Sequence, residues 1–396
     1  MKKIIRLGSF GALLGVAGVL FGSHAGGGFA TGNQVTQYFV KYGWLAPITG
    51  TLTMLILAIT LREAIVMYNN NECENYKDLF QELWRPYIKL EILWEIYYYF
   101  MVIIAVGAVI AGAASVFESL GVPYGLAVLI VGLVLLLLTI FGAVVVSSVS
   151  GAMAIIILIC SVIIFTAGIK LKMPEISNIF ATKETWGNGN ITPFIMILTY
   201  AGFQSVVIPA VTASSRELLR DDREATAAMT LAFIMNVVAL GLAILMLLGW
   251  YKEFTAAGEV TLPTLYVAKN IGSDVMKFAY QISLFLCLIS TGVTTIFGMV
   301  NRFEDHKKLM FIKEKKLRRA FISFVIMVVA ILLSLTGLDN IVKYGYGYCG
   351  YLGIFAIIIP FLTIGVYKNR KFKKENPGYK WKKKRLEEGS EDIEIS

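Results

Sequence analysis

Apolar blocks recur along this chain, each close to the ~20 residues that a helix needs to cross about 30 Å of hydrocarbon. They run at 7–40, 44–67, 90–115, 124–147, 149–169, 192–214, 225–250, 274–300, 320–337 and 344–366. Inside a bilayer the backbone has no water to bond, so such segments fold as α-helices. Composition agrees, with 57% hydrophobic and only 16% charged residues, against about 25% charged in soluble domains. The expected fold is an all-α integral membrane protein with ten transmembrane helices. A net charge of +9 does not point to nucleic acid, because of where the basic residues lie. With a cytoplasmic N-terminus, 28 of the 36 Lys and Arg residues fall in cytoplasmic segments, the side that basic loops favour. Both termini are therefore expected in the cytoplasm, and the location at the cell (plasma) membrane. The opening MKKIIR, its apolar run and SHA also fit a signal peptide; cleavage there would leave nine spans and put the basic loops on the wrong face.

Other chemistries are poorly provided for. The chain has two histidines, and its cysteines, Cys73, Cys160, Cys287 and Cys349, lie far apart without a CxxC pair. That is neither a disulfide framework nor a zinc site. No motif pairs a nucleophile with a base, so no enzyme is expected. Residues 70–88, with Leu79, Phe80, Leu83 and Trp84 among polar residues, read as a short amphipathic helix. The tail, 369–396, is basic from Lys371 to Arg385 and acidic from Glu387. It can meet anionic lipid headgroups or serve as a solvated end that fixes topology.

Spans one to five occupy 1–170 and spans six to ten 190–368. Because five is odd, two duplicated halves would lie in opposite orientations, the 5+5 inverted repeat of many secondary transporters. Each half has a fault in its first span. Span one contains Gly22-Ser23-His24-Ala25-Gly26-Gly27-Gly28-Phe29-Ala30-Thr31-Gly32, and each glycine costs about 1 kcal/mol in a helix interior. Unwound backbone at membrane depth must line a cavity or be buried in protein, so broken half-helices around a central site are expected. Close packing through small residues is the competing reading. Span six contains Pro193, then Tyr200-Ala201-Gly202-Phe203-Gln204-Ser205, then Pro209, and is expected to break at the glycine. Faults at matching places in two halves point to a binding site at the midplane.

With these residues the chain resembles the amino acid–polyamine–organocation (APC) superfamily, which has the leucine-transporter-like fold. Within it, the GGGFATG run is similar to the YkvI-type amino-acid permease family. The resemblance covers the ten spans and not the tail. It implies uptake of a small amino acid or related zwitterion by alternating access, coupled to sodium. Carbonyls of Gly22, Ala25 and Thr291 and hydroxyls of Thr294 and Thr295 would hold the ion. Neutral oxygens suit a hard cation and avoid an unpaired carboxylate in the membrane; the threonines could equally bond back to their own helix. Substrate would lie along Ser23, His24, Gly26, Gly27, Gly28 and Phe29 and along Tyr200, Ala201, Gly202, Phe203 and Gln204, with Phe203 as a gate. Tyr98, from an aromatic cluster on span three, would flank it.

The chain also departs from the pattern. Phe29 stands where some relatives have the Asn of a second sodium site, although Asn236 of span seven, counted with the substrate-binding residues, stands near where another ligand of that site would lie. Span five has no basic residue before Lys170, and Gln204 replaces a frequent Glu. Two rivals remain: proton coupling through His24 or Glu95, and a non-transporting ligand receptor on the same fold. No organic cofactor is implied; the partners are a small molecule and the lipid bilayer.

Overall fold

The computed structural model describes residues 9–24, 26–187, 191–304 and 309–381, apart from the surroundings of Gly27 and of the side chains at 142–154. All regular structure among them is helical. Span one is divided into α1 (Ser9–His24), α2 (Gly27–Ala30) and α3 (Asn33–Tyr38). Then come α4 (Ala46–Asn70), α5 (Tyr76–Trp84), α6 (Ile92–Glu118), α7 (Tyr124–Leu137), α8 (Ala143–Leu171) and α9 (Met173–Thr182). The second half holds α10 (Thr192–Gln204), α11 (Ile208–Leu218), α12 (Asp222–Ala256), α13 (Pro263–Asn270), α14 (Asp274–Phe303) and α15 (Lys315–Ser334), followed by a last span, Leu338–Glu375. Eight described segments are long and apolar enough to cross a membrane, and a ninth is the pair Ile155–Leu171 and Met173–Thr182, bent by 70°. Phe10–His24 is apolar but shorter, as half of a divided span must be.

The expected boundary between the fourth and fifth spans, at 147–149, is not marked by a break: helix continues from Tyr124 through a π-helical stretch, Leu138–Gly142, into Ala143–Leu171. Nothing from Gly125 to Ile169 is charged or proline, so the sequence holds no helix-ending mark there either. Residues 76–84 do form the short amphipathic helix, opened by a capping box between Asn75 and Asp78. Its apolar face, Leu79, Phe80 and Leu83, is fully buried in the protein itself. Phe80 stacks on Trp94 at 4.3 Å and meets Phe361 at 5.7 Å.

The polar residues gather at the two ends of the bundle. At one end Lys373 pairs with Asp222 at 2.6 Å, Asn369 donates to the Glu63 carboxylate, and Trp381 binds Asn70 and the Arg220 carbonyl. The segments after spans two and six and the tail therefore share an end. At the other, the Trp44 N–H donates to Glu184 O and Lys252 pairs with Glu184. Between them lies one continuous apolar core, with Tyr97, Tyr200, Phe203, Phe254, Tyr280 and Phe361 fully enclosed.

Candidate ligand-binding site

Span one unwinds where its glycines stand. The helical ladder of α1 stops at His24, α2 is a single turn, and Gly32 takes φ +80°, a left-handed value that glycine adopts at little cost. Neighbours take up the freed carbonyls beyond the turn: Tyr280 donates to Ala30 O, and the Thr264 N–H to Thr31 O at 3.3 Å. The Thr31 hydroxyl donates to Gly28 O at 2.8 Å. Such compensation is what lets irregular backbone persist at membrane depth.

A cavity of about 530 Å³ lies against this break. Gly22, Ser23, His24, Gly26, Gly28 and Phe29 line it from span one, and Gln204 from the end of α10. Thr291, Thr294 and Thr295 line it from α14. The structure thus brings ten of the expected residues to one space. Gly22 and Ser23 are exposed there, while His24 and Phe29 are buried. Ala25 lies outside the described residues, and the surroundings of Gly27 are likewise not described. The threonine hydroxyls use their protons on their own helix: Thr291 on Cys287 O, Thr294 on Ser290 O and Thr295 on Thr291 O, at 2.7 to 2.9 Å. Back-bonding and ion binding are compatible, because each hydroxyl oxygen keeps lone pairs after donating.

Span six does not open as expected. Its helix runs through Tyr200–Gln204 and tightens only into a 3₁₀ turn at Ser205–Val207, with Ser205 at φ −64°, ψ −7°. Tyr200, Ala201, Gly202 and Phe203 are buried behind the cavity and offer it no bare backbone. Gly202 instead packs against the last span: a Cβ there would fall 2.3 Å from Gly350 O, and one on Gly353 would fall 2.4 Å from Gly202 O. Small residues allowing two backbones to touch explain this glycine; a break does not. The carbonyls freed by the 3₁₀ turn are covered by Tyr97, whose hydroxyl bonds Gly202 O at 2.8 Å and Phe203 O at 2.7 Å.

Tyr97 is the aromatic of span three that reaches this region, and Tyr98 does not. One residue is about 100° of helix, which turns Tyr98 toward Tyr76, Trp94 and the guanidinium of Arg302, 5.3 Å from its ring. Glu95 is paired with Arg302 in the same cluster, away from the cavity lining. Phe203 is walled in by Tyr38, Tyr200 and Tyr346. Asn236 is buried, donates to Ala232 O, and its side chain interacts with His24. His24 connects the halves, with Nε2 2.9 Å from the Tyr200 hydroxyl and its ring 5.1 Å from Phe29.

Further lining residues had no signal of their own in the sequence. Met101, Ala105 and Ala108 come from α6, Cys287 from α14, and Leu338, Val342 and Tyr346 from the last span. Gln34 joins from α3, its amide packed against Gly28. None of the described lining residues is Asp, Glu, Lys or Arg.

No family model and no curated protein matches the chain. Solved structures do. MhsT, crystallised in complex with L-phenylalanine, is similar at a TM-score of 0.57 and 14% identity over 90% of this chain and 91% of its own. A point mutant of the manganese transporter of Eremococcus coleocola is similar at 0.53 and 14% identity, over 89% and 78%. The fold is that of the leucine transporter.

Proposed function

We propose that this chain is a secondary transporter that takes up a small amino acid or related zwitterion by alternating access, coupled to one sodium ion. The observation that carries the reading is the shared cavity. It meets the unwound span one on one wall and three threonines of span eight on another. Gly22, Ala25 and Thr291 would supply carbonyls and Thr294 and Thr295 hydroxyls, and the end of the 16-residue α1 adds its partial negative charge.

A wall without ionised side chains suits a ligand with no net charge of its own, because a lone charge at this depth is costly. A cation held by neutral oxygens supports a substrate carboxylate and is supported by it. The same wall disfavours a divalent ion such as manganese, which prefers carboxylate oxygens. On this reading 1–170 and 190–368 are inverted repeats, and spans one, two, six and seven rock against three, four, eight and nine to expose the cavity alternately, in a plasma membrane with both termini cytoplasmic. Likeness to the YkvI-type permeases of the APC superfamily supports the amino-acid class.

Proteoliposomes carrying the purified protein provide the test. Labelled amino acids should accumulate under an inward sodium gradient, and Thr294→Ala/Thr295→Ala should abolish the sodium dependence. Uptake that ignores sodium and survives that double substitution would sink the proposal.

The proton-coupled reading keeps one observation in its favour, the enclosed His24 between Phe29 and Tyr200. It requires uptake driven by a pH gradient without sodium and lost in His24→Gln. Glu95, held by Arg302 outside the cavity lining, is poorly placed for that role.

A further inference from the structure

Where the residues after spans two and six meet the tail, the outer surface of the bundle carries a groove of about 630 Å³. Its lower wall is apolar: Phe10 and Leu13 of α1 face Leu231 and Ile234 of α12, with Phe10 and Ile234 exposed. These side chains belong to membrane-spanning helices, so the groove opens onto lipid tails. Its upper end is basic. Arg62, Arg223 and Lys373 meet there around one carboxylate, Asp222. Lys373 pairs with Asp222 at 2.6 Å, and Arg62 lies 3.8 Å from it while also bonding Glu63 at 2.6 Å. Arg223 is exposed and enters no ion pair among the described residues.

The groove does not stop at this end. Arg62, Asp222, Arg223 and Lys373 also line a second cavity, of about 670 Å³, which continues over the polar end of the bundle. It adds Arg370 and Lys380 against Glu63 and Asp221, so cations still exceed carboxylates by two. Asp221 is already engaged, capping the backbone N–H groups of Arg223 and Glu224. Trp381 and Tyr379 of the tail form part of the cavity's wall.

We propose that an anionic phospholipid occupies this pair of cavities. One acyl chain lies along the groove between α1 and α12, the phosphate sits among Arg62, Arg223 and Lys373, and the headgroup enters the second cavity. Each half of the argument constrains the other. A soluble anion would use the basic end and leave the apolar groove empty. A zwitterionic lipid would fill the groove but bring no net charge to a basic end. Basic pockets between helices at a membrane surface are where anionic headgroups bind, and long cationic side chains reach such a depth with their stems in the apolar layer.

Thermal unfolding of the full-length protein in detergent, with lipids added, tests this. Phosphatidylglycerol should raise the unfolding temperature saturably, as a ligand of the folded state does; phosphatidylcholine and soluble glycerol 3-phosphate should not. Arg223→Gln/Lys373→Gln should raise the half-saturating phosphatidylglycerol concentration on the order of tenfold. Thr230→Trp, which fills the groove at an exposed position without touching any charge, should weaken binding comparably. Equal stabilisation by phosphatidylcholine would mean bulk lipid contact and overturn the proposal. Saturation by glycerol 3-phosphate alone would overturn the lipid as occupant. Undiminished binding in both variants would remove the site.

Discussion

Replacing Tyr200 by Phe isolates the hydroxyl that faces His24. The ring keeps its contacts with Phe39 at 4.9 Å and Phe203 at 4.6 Å, and only the 2.9 Å bond to Nε2 is lost. The His24 side chain also interacts with Asn236, so the variant isolates the loss of the partner of Nε2, which is left buried and unbonded. An orphaned buried polar group costs about 1–3 kcal/mol, and the unfolding temperature should fall accordingly. If calorimetry finds Tyr200→Phe as stable as the parent, the bond does not hold the two spans together. Thr294→Val asks the complementary question. The Thr294 hydroxyl bonds only carbonyls of its own helix, Ser290 O and Thr291 O, so its loss should cost under about 1 kcal/mol of stability. The proposed sodium site predicts that sodium stabilises the parent and that this stabilisation largely vanishes in the variant. A sodium response equal to the parent's would take Thr294 out of the ion site.

Glycines within helices divide by what surrounds them, and two identical substitutions should have opposite signs. At Gly202 a methyl would strike the Gly350 carbonyl, which belongs to backbone and cannot rotate away. Forced overpacking of this kind costs about 1–3 kcal/mol. At Gly241, within α12, nothing lies within 4 Å of the added carbon, and alanine gains up to about 1 kcal/mol of helix propensity. Unfolding temperatures of Gly202→Ala and Gly241→Ala, measured together, check both; a neutral Gly202→Ala would mean that spans six and ten do not touch as described. The contrast also marks how far the sequence could be read. Five glycines in eleven residues around His24 are more than packing requires, and span one does unwind there. A single Gly202 beside Gln204 and Ser205 looks alike whether it frees backbone or admits a neighbour, and only Gly350 and Gly353, some 150 positions on, decide the matter. Tyr97 and Tyr98 could not be told apart because the phase of α6 depends on what packs against each face. The groove beside Arg223 was illegible for a similar reason: its walls come from α1, α4, α12 and the last span.

At the scale of the whole molecule, hydrogen bonds to Asp339 form a latch beside the cavity, next to its lining residues Leu338 and Val342. Its carboxylate accepts from Asn33 of α3 and from Thr261, 2.7 Å away in the segment before α13, while Gln37 donates to its carbonyl at 3.1 Å. The second part of span one, that loop and the start of the last span are thus tied together through one side chain. No Lys or Arg pairs with Asp339 among the described residues, so its hold rests on neutral donors and its release exposes no unpaired cation. Cys287 lines the cavity and serves as a native reporter of opening. With Cys73, Cys160 and Cys349 replaced by Ser, Asp339→Ala should speed labelling of Cys287 by a polar thiol reagent severalfold, since the closed arrangement loses the two hydrogen bonds that the carboxylate accepts from Asn33 and Thr261. Adding sodium and a transported amino acid should slow it again by filling the cavity. An unchanged labelling rate in Asp339→Ala would mean that the latch does not govern entry.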